Sequence, residues 1–123
     1  MNILLIVDDH AEIRALMRDT LEQDGLEIIE AGEARSGLEL VQSRHPQVVL
    51  MDIMMPGEMD GLELCRRIKS DPATRATKVV MVSARGHRND VHIGRDAGAD
   101  DYLLKPFSPL RLQETVERLL APA

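Results

Sequence analysis

The sequence predicts an α/β domain built as a doubly wound, five-stranded parallel sheet with five helices. Three observations carry this. Five short apolar runs alternate with five segments whose apolar residues recur at helical spacing. The runs are nearly unbroken Ile, Leu, Val and Met, as in strands covered on both faces. Several of them end on a charged or hydroxyl residue just before a break in the pattern. Strict β-α alternation argues for a parallel sheet with helices on both faces. Right-handed crossovers then bring the carboxyl end of every strand to one rim.

Ile3 to Val7 is the first strand and stops at Asp8-Asp9. Ile13, Leu16, Met17 and Leu21 mark an amphipathic helix over about residues 11–24, which Asp24-Gly25 stops. Leu26 to Glu30 is a second, less apolar strand, and Ala34, Leu38 and Val41 mark a second helix ending before His45-Pro46. Val48 to Met51 is the third strand and runs into Asp52. Asp60-Gly61-Leu62-Glu63 reads as a helix start, with Asp at the N-cap and an acid three residues on. Leu64, Cys65 and Ile68 give that helix its buried face, and Asp71-Pro72 ends it. Val79 to Val82 is the fourth strand, ending at Ser83-Ala84. A polar fourth helix follows over about residues 87–97, weakened by Gly94. Asp101 to Leu104 is the fifth strand, ending at Lys105-Pro106. Ser108-Pro109 pairs an N-cap with Pro at the first helical position, and Leu112, Val116, Leu119 and Leu120 carry the last helix.

A length of 123 residues fits one domain spanning 1–123. The net charge of −6, with one Tyr, one Phe and no Trp, lacks the basic excess and stacking surface of a nucleic-acid binder, so no direct nucleic-acid contact is expected. No apolar run approaches the roughly 18 residues of a membrane span, so no membrane partner is expected. The start Met1-Asn2-Ile3-Leu4 lacks a basic signal region, and the single Cys65 cannot form an internal disulfide. The expectation is a cytoplasmic protein.

The functional residues follow from the rim. Asp8, Asp9, Asp52, Ser83 and Lys105 fall at or just after the ends of the first, third, fourth and fifth strands. They are scattered in sequence and should converge in space. Three converging carboxylates repel one another unless a cation compensates them. A hard divalent ion such as Mg²⁺ suits an all-oxygen set and bridges carboxylates to phosphate. Paired thiols are absent, and His10, His45, His87 and His92 show no ligand spacing, so zinc is disfavoured. Lys105 adds a positive point charge and Ser83 a neutral donor, a set able to hold the oxygens of a phosphoryl group in transfer. The carboxylate of Asp52, ionised at neutral pH, is then the nucleophile and becomes an acyl phosphate.

The residues Asp8-Asp9, Asp52-Ile53-Met54-Met55-Pro56 with Asp60-Gly61, Ser83-Ala84, Gly98-Ala99-Asp100-Asp101-Tyr102 and Lys105-Pro106-Phe107 resemble, in this order, the receiver domain of two-component response regulators. The resemblance covers essentially the whole chain. It implies a flavodoxin-like sheet in the order 2-1-3-4-5. It implies Asp52 as phosphoacceptor and metal ligand, Asp9 as direct Mg²⁺ ligand with Asp8 acting mainly through water, and the backbone carbonyl of Met54 as a further ligand; Mn²⁺ can replace Mg²⁺. It implies Lys105 as partner of the acceptor and then of the phosphoryl group, a cis Lys105-Pro106 bond, and Ser83 and Tyr102 as the switch pair. Implied partners are a histidine kinase or histidine phosphotransfer protein and an output domain outside this chain. A homodimer or downstream partner would read the face built by the fourth helix, fifth strand and fifth helix. The implied protein is a switch that loads and unloads its own phosphoryl group, not a turnover enzyme.

One departure stands out. Such receivers usually have two residues between the loop Pro and the Asp-Gly, whereas Gly57, Glu58 and Met59 make three here. The longer loop should bulge outward and spare the metal site. Met54 and Arg85, two past Asp52 and Ser83, occupy positions that tune phosphoryl lifetime in such domains; Met54 cannot hold a water by hydrogen bonding, so slow self-dephosphorylation is expected.

Other readings compete. Asp8-Asp9 could only cap a helix, and Asp52 could only start a turn. Lys105, Ser83 and Tyr102 could be solvent or packing residues. His10 reads as a solvated helix-start residue, and Arg66-Arg67-Lys69 as a solvated helix face. An aspartate-dependent phosphatase needs an acid where Met54 stands, and a flavin module needs a phosphate loop where Asp8-Asp9-His10 stands. A receiver used as an unphosphorylated interaction module is the alternative function, and the intact acid, Ser and Lys set argues against it.

Overall fold

The computed structural model describes residues 1–83 and 88–121. Ala84, Arg85 and His87, named above, lie outside the described residues. Along the chain, β1 (Asn2–Val7), α1 (Ala11–Leu21), β2 (Leu26–Ala31), α2 (Ala34–Arg44) and β3 (Val48–Asp52) are followed by α3 (Gly61–Ser70), β4 (Lys78–Ser83), α4 (Arg88–Asp96), β5 (Asp101–Leu104) and α5 (Pro109–Leu120). All five strands are parallel, in the order β2-β1-β3-β4-β5. The predicted class and order hold. The first helix is shorter than expected: it ends at Leu21, and Glu22, whose N–H still bonds back to Arg18, is already extended. The Asp24-Gly25 signal therefore belongs to the turn into β2, where Gly25 takes φ +82°.

Why the strands read as continuous apolar runs is visible in the core. Alternate side chains enter opposite layers. Leu4 and Ile6 of β1 join Leu50 of β3 and Val80 and Val82 of β4 under α1 and α5, whose Met17, Leu21, Leu112 and Val116 close that layer. Leu5, Val7, Val49, Met51, Val79 and Met81 face the other way, under α2 and α3, with Val41, Leu64, Cys65 and Ile68. Burying one such side chain contributes about 1.5–3 kcal/mol. A strand with a polar face could not be placed between two such layers.

Helix starts follow the predicted chemistry. Asp60 caps α3 by accepting from the Glu63 N–H at 2.9 Å, and Ser108 caps α5 by accepting from the Arg111 N–H at 3.0 Å. The long loop between β3 and α3 does bulge outward. Met55 and Met59 are buried and anchor its two sides in the α2/α3 layer. Pro56, Gly57 and Glu58 form an exposed tip, with Gly57 at φ +110° and Glu58 3.3 Å from Arg35.

Candidate functional site

At the carboxyl rim of the sheet, β1 delivers Asp8 and Asp9, β3 ends on Asp52, and β5 is followed directly by Lys105. The Lys105 ammonium sits between two carboxylates, 3.0 Å from Asp8 Oδ2 and 3.1 Å from Asp52 Oδ2. The Lys105 N–H donates to the Ser83 carbonyl at 2.8 Å, which ties this residue to the end of β4. The Lys105-Pro106 peptide is cis. Asp8 is fully buried, with Oδ1 accepting from the His10 N–H at 2.9 Å. Asp52 is nearly so, with Oδ1 accepting from the Met54 N–H at 3.0 Å, which sets the Met54 backbone beside the carboxylate. Met54 itself is 57% exposed.

Electrostatically the cluster is short of positive charge. Burial pushes the Lys105 ammonium toward neutrality, but hydrogen bonds and charge from Asp8 and Asp52 outweigh it and hold its pKa above the ordinary value. Lys105 is therefore a fixed cation at neutral pH. It answers two carboxylates, and Asp9 has beside its Oδ1 the His10 ring nitrogen, 3.3 Å away. Asp9 Oδ1 is buried without a hydrogen-bond partner among the described residues. One ligand atom each from Asp8, Asp9, His10 and Asp52 lies within 4.8 Å of the others. A buried, unsatisfied carboxylate oxygen in a mostly oxygen-donor set fits a hard cation.

Of the residues picked from the sequence, Asp8, Asp9, Asp52 and Lys105 come together. Ser83 is buried at the end of β4, one position beyond Val82, the register partner of Asp52. Tyr102 on β5 pairs in register with Met81 of β4, and its ring lies against Gly94 of α4. Four residues were missed or misread. His10 is exposed at the start of α1, as expected, yet its Nδ1 lies 3.1 Å from Asp8 and 3.3 Å from Asp9. Lys69 is not on a solvated face: it pairs with Asp100 at 2.8 Å and donates to the Thr77 carbonyl, bracing the α3–β4 turn against the α4–β5 turn. Arg14 donates to the Asp8 carbonyl at 2.6 Å. Gly61 packs directly on the Asp52 backbone. The last two contacts involve main-chain atoms, which leave no mark in the residue pattern.

A doubly wound sheet with paired acids, a terminal Asp and a lysine on one rim is an α/β domain that presents a ligand site at the carboxyl ends of its strands. The family model for the response regulator receiver domain matches residues 4–117, and the chain belongs to that family. It is 41% identical over 118 residues to the phosphate regulon transcriptional regulatory protein PhoB of Pseudomonas aeruginosa, covering 96% of this chain and 50% of that protein. It is 38% identical over 117 residues to the transcriptional regulatory protein CseB of Streptomyces avermitilis, covering 95% and 48%. The chain thus spans about half the length of these curated relatives. Among solved structures, a putative response regulator from Chloroflexus aurantiacus superposes with a TM-score of 0.91 at 33% identity, covering 98% of both chains. Chemotaxis protein CheY4 of Vibrio cholerae gives 0.88 at 30% identity, covering 98% of this chain and 99% of that one. The chain is a receiver domain of the two-component type, and that supports phosphorylation-based signalling. No helix among the described residues is long and apolar enough to cross a membrane.

Proposed function

We propose that this receiver is a cytoplasmic phosphorylation switch that takes its phosphoryl group on Asp52 from a histidine kinase or histidine phosphotransfer protein. The observation that carries the reading is the single ammonium shared by the carboxylates of Asp8 and Asp52. In the transfer, an oxygen of Asp52 forms a bond to phosphorus as the phosphorus–nitrogen bond of phosphohistidine breaks. The electron pair leaves with the imidazole, and no proton has to come from Asp52. Lys105 releases Asp52 and pairs with a phosphoryl oxygen, and Ser83 donates its hydroxyl to another. Asp9, Asp8, Asp52 and the Met54 carbonyl would hold Mg²⁺, or Mn²⁺, which when bound supplies charge neutralisation for the phosphoryl oxygens. Movement of Ser83 draws Tyr102 inward and shifts an existing two-state equilibrium in the α4-β5-α5 face. A homodimer, a downstream partner or an output domain outside this chain would read that face. The protein carries no turnover activity beyond loading and releasing its own phosphoryl group.

Incubation with acetyl phosphate and Mg²⁺ followed by intact mass measurement tests this. The expected result is a gain of one phosphoryl group that is absent in Asp52→Asn. A wild-type chain that gains nothing at any Mg²⁺ concentration is instead an unphosphorylated interaction module. The phosphorylated protein should also keep its label for minutes or longer, because the exposed Met54 thioether is a poor partner for an attacking water. Loss of label within seconds would refute that expectation.

A further inference from the structure

Arg14 lies on α1, outside the acid cluster. Its Nη1 donates to the main-chain carbonyl of Asp8 at 2.6 Å. Its Nε is held by Glu30 at 3.0 Å, and the other oxygen of Glu30 is held by Arg18 at 2.7 Å. Arg18 in turn donates to the Ile28 carbonyl at 2.9 Å. Burial alone would push the Glu30 carboxyl up, but hydrogen bonds and charge from Arg18 and Arg14 win and hold it below the ordinary carboxylate value. Glu30 is thus an anion near neutral pH, and Arg14 is fastened at both ends. The Asp8 N–H donates to the Ala31 carbonyl at 3.1 Å. Asp8 is therefore gripped on both sides from the end of β2: directly at its N–H, and through Glu30 and Arg14 at its C=O.

That grip matters because the Asp8 carbonyl belongs to the Asp8-Asp9 peptide unit, which is planar. Fixing the carbonyl oxygen fixes the plane, and the plane sets the direction in which Asp9 leaves the chain. Asp9 carries the buried carboxylate oxygen that has no hydrogen-bond partner among the described residues. Resting on the metal-dependent reading above, we infer that Arg14 is a positioning residue for the metal site, aiming Asp9 through the Asp8-Asp9 peptide. Coulomb repulsion works in the opposite direction, since a guanidinium near the acids repels a divalent cation. Glu30 neutralises Arg14 at hydrogen-bond distance, which leaves only a dipolar residue of that repulsion. Orientation therefore decides the sign, and loss of Arg14 weakens binding.

Titration of the folded protein with Mg²⁺ alone, followed by calorimetry, tests the assignment. Arg14→Gln should weaken Mg²⁺ binding about tenfold or more, the scale seen when groups that orient metal ligands are lost. Arg14→Lys keeps the charge and a donor group but loses the planar fork that reaches Glu30 and the Asp8 carbonyl together, and should fall between wild type and Arg14→Gln. Arg44→Gln breaks the exposed Glu27 pair at the other end of β2 and should bind Mg²⁺ as wild type does. Thermal unfolding without Mg²⁺ shows how much of any change is general destabilisation, which would lower Tm while leaving the affinity of the folded protein unaltered. Unchanged or tighter Mg²⁺ binding in Arg14→Gln overturns the assignment. A wild-type chain that binds no Mg²⁺ overturns the metal-dependent reading along with it.

Discussion

Replacing Gly61 with alanine should destabilise the domain by about 3 kcal/mol, at the upper end of what overpacking costs. Propensity alone predicts the reverse, since alanine is better than glycine inside a helix by about 1 kcal/mol. The site overrules propensity. A Cβ on Gly61 would lie 2.1 Å from the Asp52 carbonyl oxygen and 2.9 Å from Ile53 Cα. Both are main-chain atoms, so no side chain can swing aside. The Gly61 N–H also donates to the Ile53 carbonyl at 3.0 Å, which pins α3 against the end of β3. Alanine must push the helix start and the strand apart, and the strand end it moves is Asp52. Urea unfolding should show the loss, and acetyl phosphate labelling should slow in parallel. Asp60→Ala is the useful comparison. It removes the cap hydrogen bond alone and should cost about 1 kcal/mol. A Gly61→Ala protein as stable as wild type would refute the close approach.

Lys105→Met should be the other severe change. It leaves the Asp8 and Asp52 carboxylates buried with their shared cation gone. Removing one partner of a buried pair typically costs 3–5 kcal/mol. The Lys105 side chain is 17% exposed, so water reaches its place and the expected loss is smaller, about 2–3 kcal/mol. Saturating Mg²⁺ should recover part of it by supplying positive charge to the same acids. The pH dependence has a definite sign. The folded pKa of Lys105 lies above its ordinary value of 10.5, so its stabilisation is complete below that value and is lost as pH rises through the higher folded one. The gap between wild type and Lys105→Met should therefore persist at neutral pH and close as pH rises into strong alkali. Equal urea midpoints for the two proteins in Mg²⁺-free buffer at neutral pH would refute the argument.

Much of the site was legible before any coordinates. Asp52 stands out because an apolar run ends on a carboxylate before Pro56-Gly57, and Lys105 because it precedes Pro106 at the end of the last strand. Such side chains announce themselves by being out of character with the run that carries them. His10 did not, because a lone histidine at a helix start is ordinarily solvent-exposed. Its exposure is as expected, while its Nδ1 faces two acids. Lys69 looked like one cation in a basic helix face, and only the fold reveals that the α3–β4 turn and Asp100 enclose it.

The residue pattern by itself determined the element order, the parallel sheet and the strand ends that carry the acids. Those follow from local rules: apolar period, breaker residues and the handedness of crossovers, each written in neighbouring side chains. The tertiary structure decided what holds those acids in place. The grip of Arg14 on the Asp8 carbonyl spans six positions, and its anchor Glu30 sits sixteen residues further along the chain. The contact of Gly61 with the Asp52 main chain depends on how closely α3 approaches β3. Main-chain atoms are the same at every residue, so a sequence cannot mark which carbonyl will be gripped or crowded. Only the packed chain selects it.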